Sequence, residues 1–265
     1  AELSAISLIL GAVFFAFQIY GDFSGYSDIA LGTCRLLGFE LMTNFKTPYF
    51  SRNIAEFWRR WHISLNTWFR DYVYIPLGGS QGGVVTKIRN IFIIFLGSGF
   101  WHGANWTYLI WGGLNAFYFL PSLLMNRNRK YLNELSEKSF FPSFREFLGM
   151  LTTFILITIS WMFFRAETVN QAINYIENIY TLSYWFIDEQ EFLAYAINNE
   201  LSNFTLIFIF IIIMLLIEWI HRNEEYPFTL SKIPKIGRWI LYNILLMVIV
   251  YWGTFEKTEF IYFQF

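Results

Sequence analysis

Long uncharged apolar stretches dominate the pattern of hydrophobic and polar residues along this 265-residue chain. Four of these stretches are long enough to cross a bilayer as one helix, because a spanning helix needs about 20 mostly apolar residues. They are Leu3–Gly21, Phe147–Phe164, Leu201–Ile217 and Trp239–Phe255. The pattern therefore predicts an all-α integral membrane protein that crosses the bilayer several times.

A fifth apolar region, Asn90–Asn126, is uncharged apart from His102. It is too long for one span and too short for two full spans with a loop. The glycines of Gly97-Ser98-Gly99 and Gly103 are expected to interrupt it. Broken backbone at membrane depth is tolerated only where it is buried in protein or lines a wet cavity. The region is therefore predicted to be broken or re-entrant and to border a site.

The composition supports lipid as the solvent for much of this chain. Hydrophobic residues make up 55% and charged residues only 15%, whereas about 25% of a typical soluble domain is charged. The formal net charge of −1 gives no reason to expect nucleic acid or another bulk polyanion as a partner. The single cysteine, Cys34, rules out an internal disulfide and is interpreted as a small buried residue.

The loop charges predict an orientation. Basic residues are concentrated in Arg127–Arg145 and His221–Arg238, whereas the intervening loop Arg165–Ser202 is acidic. The positive-inside rule then places the two basic loops in the cytoplasm and the acidic loop outside. Within the acidic loop, Thr168 is predicted to cap a helix, which either lies on the membrane surface or packs as an ordinary helix.

The segment Phe50–Gly83 differs from the rest because polar and aromatic residues alternate along it. We expect one helix, capped at Ser51 or Asn53 and continuing until Pro76. An aromatic ridge would consist of Trp58, Trp61, Leu65 and Trp68. A neighbouring polar ridge would consist of Arg59, His62, Asn66 and Arg70. Two interpretations stay open: an interfacial helix with tryptophan anchors and snorkelling arginines, or a wall of a cavity that binds an anionic or sugar-like ligand.

Two other polar positions lie beside apolar helices. The segment Gly21–Asp28 is predicted to end the first span in a turn, with Ser27 or Asp28 capping the next helix. His221 follows a span and is interpreted as an interface residue.

His102 is the best candidate for chemistry. A polar ring inside a bilayer must find partners, because leaving it unpaired costs on the order of several kcal/mol. A neutral imidazole can act as a general base near pH 7 without placing a fixed charge in the membrane. The flanking glycines leave backbone room for a substrate, and His62 on the polar ridge is the second candidate.

Several motifs follow one another in a fixed order. They include Phe-Trp-Arg-Arg-Trp-His-Ile-Ser-Leu at Phe57–Leu65 and Gly-Phe-Trp-His-Gly-Ala-Asn-Trp at Gly99–Trp106. The others are Gln18–Gly32, Arg70–Gly79 and Phe260–Phe265. Together they resemble the membrane-bound O-acyltransferase (MBOAT) family, in particular its bacterial polysaccharide O-acetylation branch.

The resemblance implies a fold, an activity and a location. The expected fold is helical, with re-entrant and short helices around a membrane funnel, and residues 1–265 would form one such domain that lacks its N-terminal helices. An acyl group, usually acetyl, would pass from a thioester donor, acetyl-CoA or a carrier-protein thioester, to a hydroxyl of an exported polysaccharide or to a periplasmic acetyltransferase partner. The donor would approach from the cytoplasm, no cofactor or metal would be bound, and the protein would lie in the bacterial inner membrane.

The resemblance also implies site residues. The catalytic histidines of the family map onto His102 and His62. As a hypothesis, His102 takes the proton from the acceptor hydroxyl, and His62 or Asn66 orients this base or stabilises the oxyanion. Arg59, Arg60 and Arg70 would hold donor phosphates. The expected substrate-binding residues are Trp58, Arg59, Asn66, Arg70, Asp71, Trp101 and Asn105.

Three other classes of function remain open. A transporter or flippase would use the Gly97–Gly103 segment as a pathway and His102 as a proton relay. A haem protein would use His62 and His102 as ligands, which a visible absorption spectrum would reveal. A structural scaffold explains the spans but not the two histidine segments.

Overall fold

A computed structural model describes residues 4–132, 140–181, 200–224 and 233–253. Within these ranges the chain is helical, which confirms the predicted all-α class. The nine α-helices are α1 Ala5–Leu36, α2 Ile54–Arg60, α3 Ile63–Phe69, α4 Val84–His102, α5 Trp106–Leu124, α6 Phe144–Arg165, α7 Val169–Thr181, α8 Glu200–Ile220 and α9 Lys235–Trp252. A 3₁₀ turn at Pro48–Phe50 precedes α2, and a π-helical turn at Arg70–Tyr74 follows α3.

Five of these described helices are long and apolar enough to cross a membrane. Four of them, α1, α6, α8 and α9, overlap the four predicted spans, and α4 supplies the fifth. The prediction of a multi-pass membrane protein is therefore confirmed. Parts of two sequence features lie outside the described residues. They are Asp188, Glu189 and Glu191 of the acidic loop Arg165–Ser202, and the terminal motif Phe260–Phe265.

The first span is longer than predicted. Helix α1 begins after its cap Ser4 and continues for 32 residues without a turn at Gly21–Asp28. The predicted turn is wrong because one face of α1 remains buried beyond Gly21. The buried positions on this face follow the helical period and are Ile19, Phe23, Ser27 and Leu31.

Helices α4 and α5 form a tight hairpin. The predicted interruption at Gly97–Gly99 is wrong, because these residues continue α4 and the break comes only at Gly103. The glycines have a packing role instead. A Cβ added to Gly99 would lie 2.3 Å from the Tyr108 carbonyl oxygen, and one added to Gly112 would lie 2.3 Å from the Phe95 carbonyl oxygen. Small residues thus let the two backbones touch, as is common between membrane helices.

Asn53 caps α2 as predicted, but the expected continuous helix from this cap to Pro76 is wrong, because it breaks at Trp61 and His62. The loop before α2 holds this break open: Lys46 donates its backbone N–H to the Arg60 carbonyl, and Ile63 donates to the Asn44 carbonyl, both at 3.0 Å. The two predicted ridges are consequently not continuous. Trp61 is 2% exposed, whereas Trp68 is 51% exposed.

An aromatic core joins α1, α2, α5 and α6. Trp61, Trp111 and Trp161 are almost fully buried at its centre. The Trp161 ring lies 5.2 Å from Trp61 and 5.7 Å from Trp111, measured between ring centroids. Large rings bury much apolar area and prefer defined mutual angles, so this core fixes the helices against which the two candidate histidines pack.

Helix α7 packs against the rest of the molecule. Thr168 caps it as predicted, accepting a hydrogen bond from the Gln171 backbone N–H. Ala172 and Ile179 are buried, and the Tyr175 hydroxyl donates to the Leu8 carbonyl of α1 at 2.6 Å. These contacts favour the packed helix over the surface-lying one.

Candidate functional site

His102 is the last residue of α4 and lies in a box of aromatic rings. Its imidazole is half-buried. Trp101, Trp111 and Phe164 surround it at centroid distances of 4.9, 5.3 and 5.1 Å, each nearly perpendicular to the imidazole plane. The hairpin turn at Gly103 therefore delivers the histidine to the aromatic core rather than to open solvent.

His62 joins the same site from the break between α2 and α3. Its ring lies 4.7 Å from Phe23 and 6.5 Å from Trp101, between centroids. Trp101 thus lies beside both histidines. The structure brings together three of the predicted site residues, although His62 is far in sequence from Trp101 and His102.

The backbone at His62 is strained. Its φ of 45° and ψ of 56° fall in the left-handed region, which a non-glycine residue adopts at a cost of order 1–3 kcal/mol. Such a conformation persists only where the surroundings over-determine it, and it is common at functional sites. Here the backbone hydrogen bonds of Asn44 and Lys46, on either side of the break, hold His62 in this conformation.

A hydrogen-bonded relay fixes the His62 ring. The Ser64 hydroxyl donates to Asn44 Oδ1 at 2.5 Å, and Asn44 Nδ2 donates to the Ser27 hydroxyl at 3.3 Å. Ser64 Oγ also lies 3.4 Å from His62 Nδ1. Since the Ser64 proton is already donated, this oxygen accepts, and the hydrogen of a neutral His62 belongs on Nδ1. Nε2 is then the acceptor nitrogen.

Burial keeps His62 neutral at physiological pH. It lowers the pKa of this imidazole from 6.5 to about 4, because the charged form loses its hydration. The relay therefore acts on a neutral ring with one defined tautomer. Sequence reasoning missed Asn44 and Ser64; only the place of Ser64 within the Phe57–Leu65 motif signalled it.

The two predicted asparagines brace the backbone on either side of the site. Asn66 Nδ2 donates to the Trp58 and Trp61 carbonyls, both at 2.6 Å, and so spans the break before His62. Asn105 caps α5 through Thr107 and donates to the Glu167 carbonyl at 2.8 Å. Both amide protons of Asn66 are used in this way.

Trp58 packs beside the aromatic box. Its ring lies 5.8 Å from Trp111 and 5.3 Å from Phe95, between centroids. The indole N–H groups of Trp58 and Trp111 are buried, and neither finds an acceptor within the described part of the chain. A buried donor without an acceptor is costly.

The structure does not gather the three predicted arginines into one phosphate site. Arg59 donates to the Asn128 and Tyr131 carbonyls at 2.7 and 2.9 Å. Arg70 is exposed and pairs with its neighbour Asp71 at 2.7 Å, which lowers the pKa of that carboxyl. Arg60 is buried, which lowers the pKa of its guanidinium against the opposing effect of a nearby carboxylate.

That carboxylate belongs to a buried ion cluster that sequence reasoning missed. Glu56 is 1% exposed and accepts from both Arg52 and Arg60 at 2.9 Å. Arg52 also reaches Glu146 of α6 at 3.0 Å. The two positive and two negative charges balance, and the cluster ties α2 to α6. Removing one partner of such a cluster would leave an uncompensated buried charge.

Comparison with known proteins gives a consistent family assignment. The sequence profile of MBOAT, the membrane-bound O-acyltransferase family, matches residues 2–133, about half of the chain, including both histidines. The chain is 43% identical over 180 residues to the probable alginate O-acetylase AlgI of Pseudomonas fluorescens, an overlap of 68% of this chain and 34% of that protein.

The names of two further relatives specify other acceptors. The chain is 30% identical to the peptidoglycan O-acetyltransferase of Helicobacter pylori, over 100% of this chain and 50% of that protein. It is 31% identical to the teichoic acid D-alanyltransferase of Streptococcus thermophilus, over 58% and 40% of the two chains. The chain thus spans about a third to a half of the length of these curated relatives.

Proposed function

Because this chain belongs to the membrane-bound O-acyltransferase family, we propose that it transfers an acyl group, specifically acetyl, from a thioester donor to a hydroxyl of an exported cell-envelope polymer. The observation that supports this most directly is the convergence of His62 and His102 on Trp101. The names of the relatives favour a polysaccharide-type acceptor or a protein that relays acetyl to it. The proposed location is the bacterial inner membrane.

His102 acts as the general base in this proposal. Its imidazole takes the proton of the acceptor hydroxyl while that oxygen attacks the thioester carbonyl. The tetrahedral intermediate then collapses, the C–S bond breaks, and the imidazolium returns the proton to the departing thiolate. The ester and the free thiol leave with no net change in protons. A positioned base of this kind contributes about 10²–10⁴-fold.

His62 positions the acceptor rather than moving its proton. The Ser64–Asn44 relay holds the hydrogen on Nδ1, so Nε2 accepts a hydrogen bond from the acceptor. The buried N–H groups of Trp58 and Trp111 are the donors that we assign to the carbonyl oxygen of the thioester, which gains negative charge in the transition state. Asn66 supports His62 by holding the break in the helix.

In this proposal, Arg70 and the residues around it bind the donor phosphates. Arg70 Nε and Nη2 contact Asp71, and Nη1 has no partner within the described ranges. Arg59 and Arg60 do not bind the phosphates directly, because their side chains already bind backbone carbonyls and Glu56.

Incubating the purified protein with acetyl-labelled donor and a short polysaccharide acceptor tests the proposal. We expect label on the acceptor together with stoichiometric release of free thiol. Movement of label or acceptor across a proteoliposome membrane without thioester cleavage would contradict it and would indicate a transporter. In cells, full acetylation of the exported polymer by a His102→Ala variant at normal abundance would rule out the assigned base.

A further inference from the structure

Helix α8 carries a buried carboxylate that the proposed reaction does not use. Glu218 is 5% exposed and lies one residue beyond the predicted span Leu201–Ile217, in a helix that is long and apolar enough to cross a membrane. The Tyr20 hydroxyl of α1 donates to its Oε1. Its Oε2 is buried without a hydrogen-bond partner among the described residues, and none of the ion pairs formed between them includes Glu218. Ionisable groups at such positions are expensive and are usually functional.

Glu218 lines a cavity of about 260 Å³ between α1, the loop before α2 and the end of α8. Two more carboxylates, Asp28 and Glu224, line the same cavity. The basic side chains in its lining are Lys46 and His221. Because the carboxylates of Glu218 and Asp28 outnumber the one lysine in the lining, the cavity is suited to a cation.

The shape of the site argues against a metal ion. No group of three or more histidine, cysteine, aspartate or glutamate side chains in the described ranges is spaced to hold one. The volume instead admits several non-hydrogen atoms. The rings of Tyr20, Phe45 and Phe210 also line the cavity, and aromatic faces attract organic cations. Carboxylate together with aromatic rings is the combination that recognises an ammonium group.

We propose that this cavity binds a small primary ammonium group, with Glu218 as its counter-ion. The three N–H donors of an ammonium would give Glu218 Oε2 the partner that it lacks in the described structure. The remaining donors would reach Asp28 or the hydroxyl groups of the lining.

The site is distinct from the histidine site but touches it through aromatic rings. Tyr20 and Phe45 pack on Trp61 at 5.8 and 5.0 Å, between centroids. Phe45 also packs on Phe23 at 5.0 Å, and Phe23 contacts His62. Binding at Glu218 does not depend on acyl transfer, and its test below requires no enzymatic activity.

The test uses the purified protein in nanodiscs of phosphatidylglycerol, which carries no ammonium. Ethanolamine is titrated by calorimetry, with ethylene glycol as the neutral analogue and potassium chloride as the simple cation. We expect ethanolamine to bind the native protein and to raise its melting temperature. Glu218→Gln preserves the shape and the acceptor for Tyr20 but should weaken binding by at least about tenfold. Glu177→Gln, on the exposed face of α7, should bind as the native protein does.

Adding phosphatidylethanolamine to the nanodiscs identifies the source of the group. If it raises the melting temperature of the native protein but not of Glu218→Gln, the ammonium is that of a lipid; if only free ethanolamine does so, it is that of a soluble amine. Equal ethanolamine affinity in the native protein and Glu218→Gln, or an equal effect of ethylene glycol or potassium, overturns the proposal. Should Glu218→Gln fail to fold, Glu218→Met, which keeps the side-chain volume and removes the charge, decides in its place. Unchanged ethanolamine affinity in that variant also overturns the proposal.

Discussion

The two histidines contact the same tryptophan but are held in different ways. His62 has a strained backbone, and its ring is oriented by a polar relay through Ser64 and Asn44. His102 ends a regular 19-residue helix, and aromatic rings pack against it at nearly right angles. A residue that positions a substrate benefits from one fixed tautomer, whereas a general base must change its protonation state in each cycle. The difference supports His102 as the base and His62 as the positioning residue.

The largest effect is expected from His102→Ala. Loss of the base should lower kcat for acetyl transfer by about 10²–10⁴-fold, and the melting temperature should fall as well, because the truncated side chain leaves a gap among the rings of Trp101, Trp111 and Phe164. Phe100→Ala, an exposed residue on the same helix, is the matched control and should retain activity. Labelled acetyl on the acceptor is the measurement. A small effect here combined with a very large one in His62→Ala would reverse the two roles.

Gly99→Ala should move His102 without changing its chemistry. The new methyl group would overlap the Tyr108 carbonyl, and such overpacking costs about 1–3 kcal/mol. Gly97→Ala is the control on the same helix, because its Cβ would meet nothing closer than the Phe69 ring at 3.7 Å. Thermal unfolding followed by tryptophan fluorescence compares the two. Equal stability of both variants would mean that the hairpin is not as tight as described.

Ser64→Ala should disturb His62 alone. It removes the acceptor for Nδ1–H and the donor to Asn44, and a hydrogen bond of this kind is worth about 0.5–1.5 kcal/mol. We expect kcat to fall by up to about tenfold with little change in donor KM, and Ser64→Thr to restore it because it returns the hydroxyl. If Thr fails to restore kcat while Ala is well folded, the relay does not set the His62 ring.

A pH series separates His62 from the rest of the fold. Burial lowers the pKa of His62 from 6.5 to about 4, so the folded protein binds this proton more weakly than the unfolded chain. The stability that the neutral ring provides is present above pH 6.5 and is lost as the pH falls toward 4. Between about pH 7 and pH 5 the native melting temperature should therefore drop further than that of His62→Gln. Parallel drops would show that His62 is not buried as described.

The smallest effect is expected at Arg70, outside the aromatic box. Arg70→Gln breaks only an exposed pair with Asp71, and such pairs contribute about 0–1 kcal/mol. Stability should be unchanged, and donor KM should rise with kcat preserved if this guanidinium contacts donor phosphates. A donor that lacks its terminal phosphate should abolish the difference between the two proteins. An unchanged KM would remove Arg70 from the site.

The spans could be predicted because a helix exposed to lipid must consist mostly of apolar residues. The breaks and ends of the helices could not, because contacts with distant parts of the chain decide them. Backbone bonds from Asn44 and Lys46 hold open the break at His62, and no local pattern in Phe50–Gly83 signals it. Gly97 and Gly99 look like helix breakers in isolation, but both continue α4, and the Tyr108 carbonyl packs on Gly99.

The motif residues of the site could be predicted from the sequence, but the residues that hold them in place could not. Both histidines lie in motifs, and the structure brings them together at Trp101. The relay partner Asn44 precedes the motif by many residues, and Glu146 lies 94 positions from the Arg52 it binds. Such pairs become visible only when the helices are packed. Arg60 matches a motif, but it pairs with Glu56 one helical turn earlier, in a buried ion cluster that reaches Glu146 through Arg52.

Asn66 has a consequence for how sequence variants of this protein should be scored. Its amide group points two N–H donors at the Trp58 and Trp61 carbonyls. An aspartate there would have nearly the same shape but would set negative oxygens against two carbonyl oxygens. A substitution matrix treats this exchange as mild. At position 66 it reverses the polarity of a side chain that bridges the break before His62, so an allele that looks harmless would displace the histidine from the site.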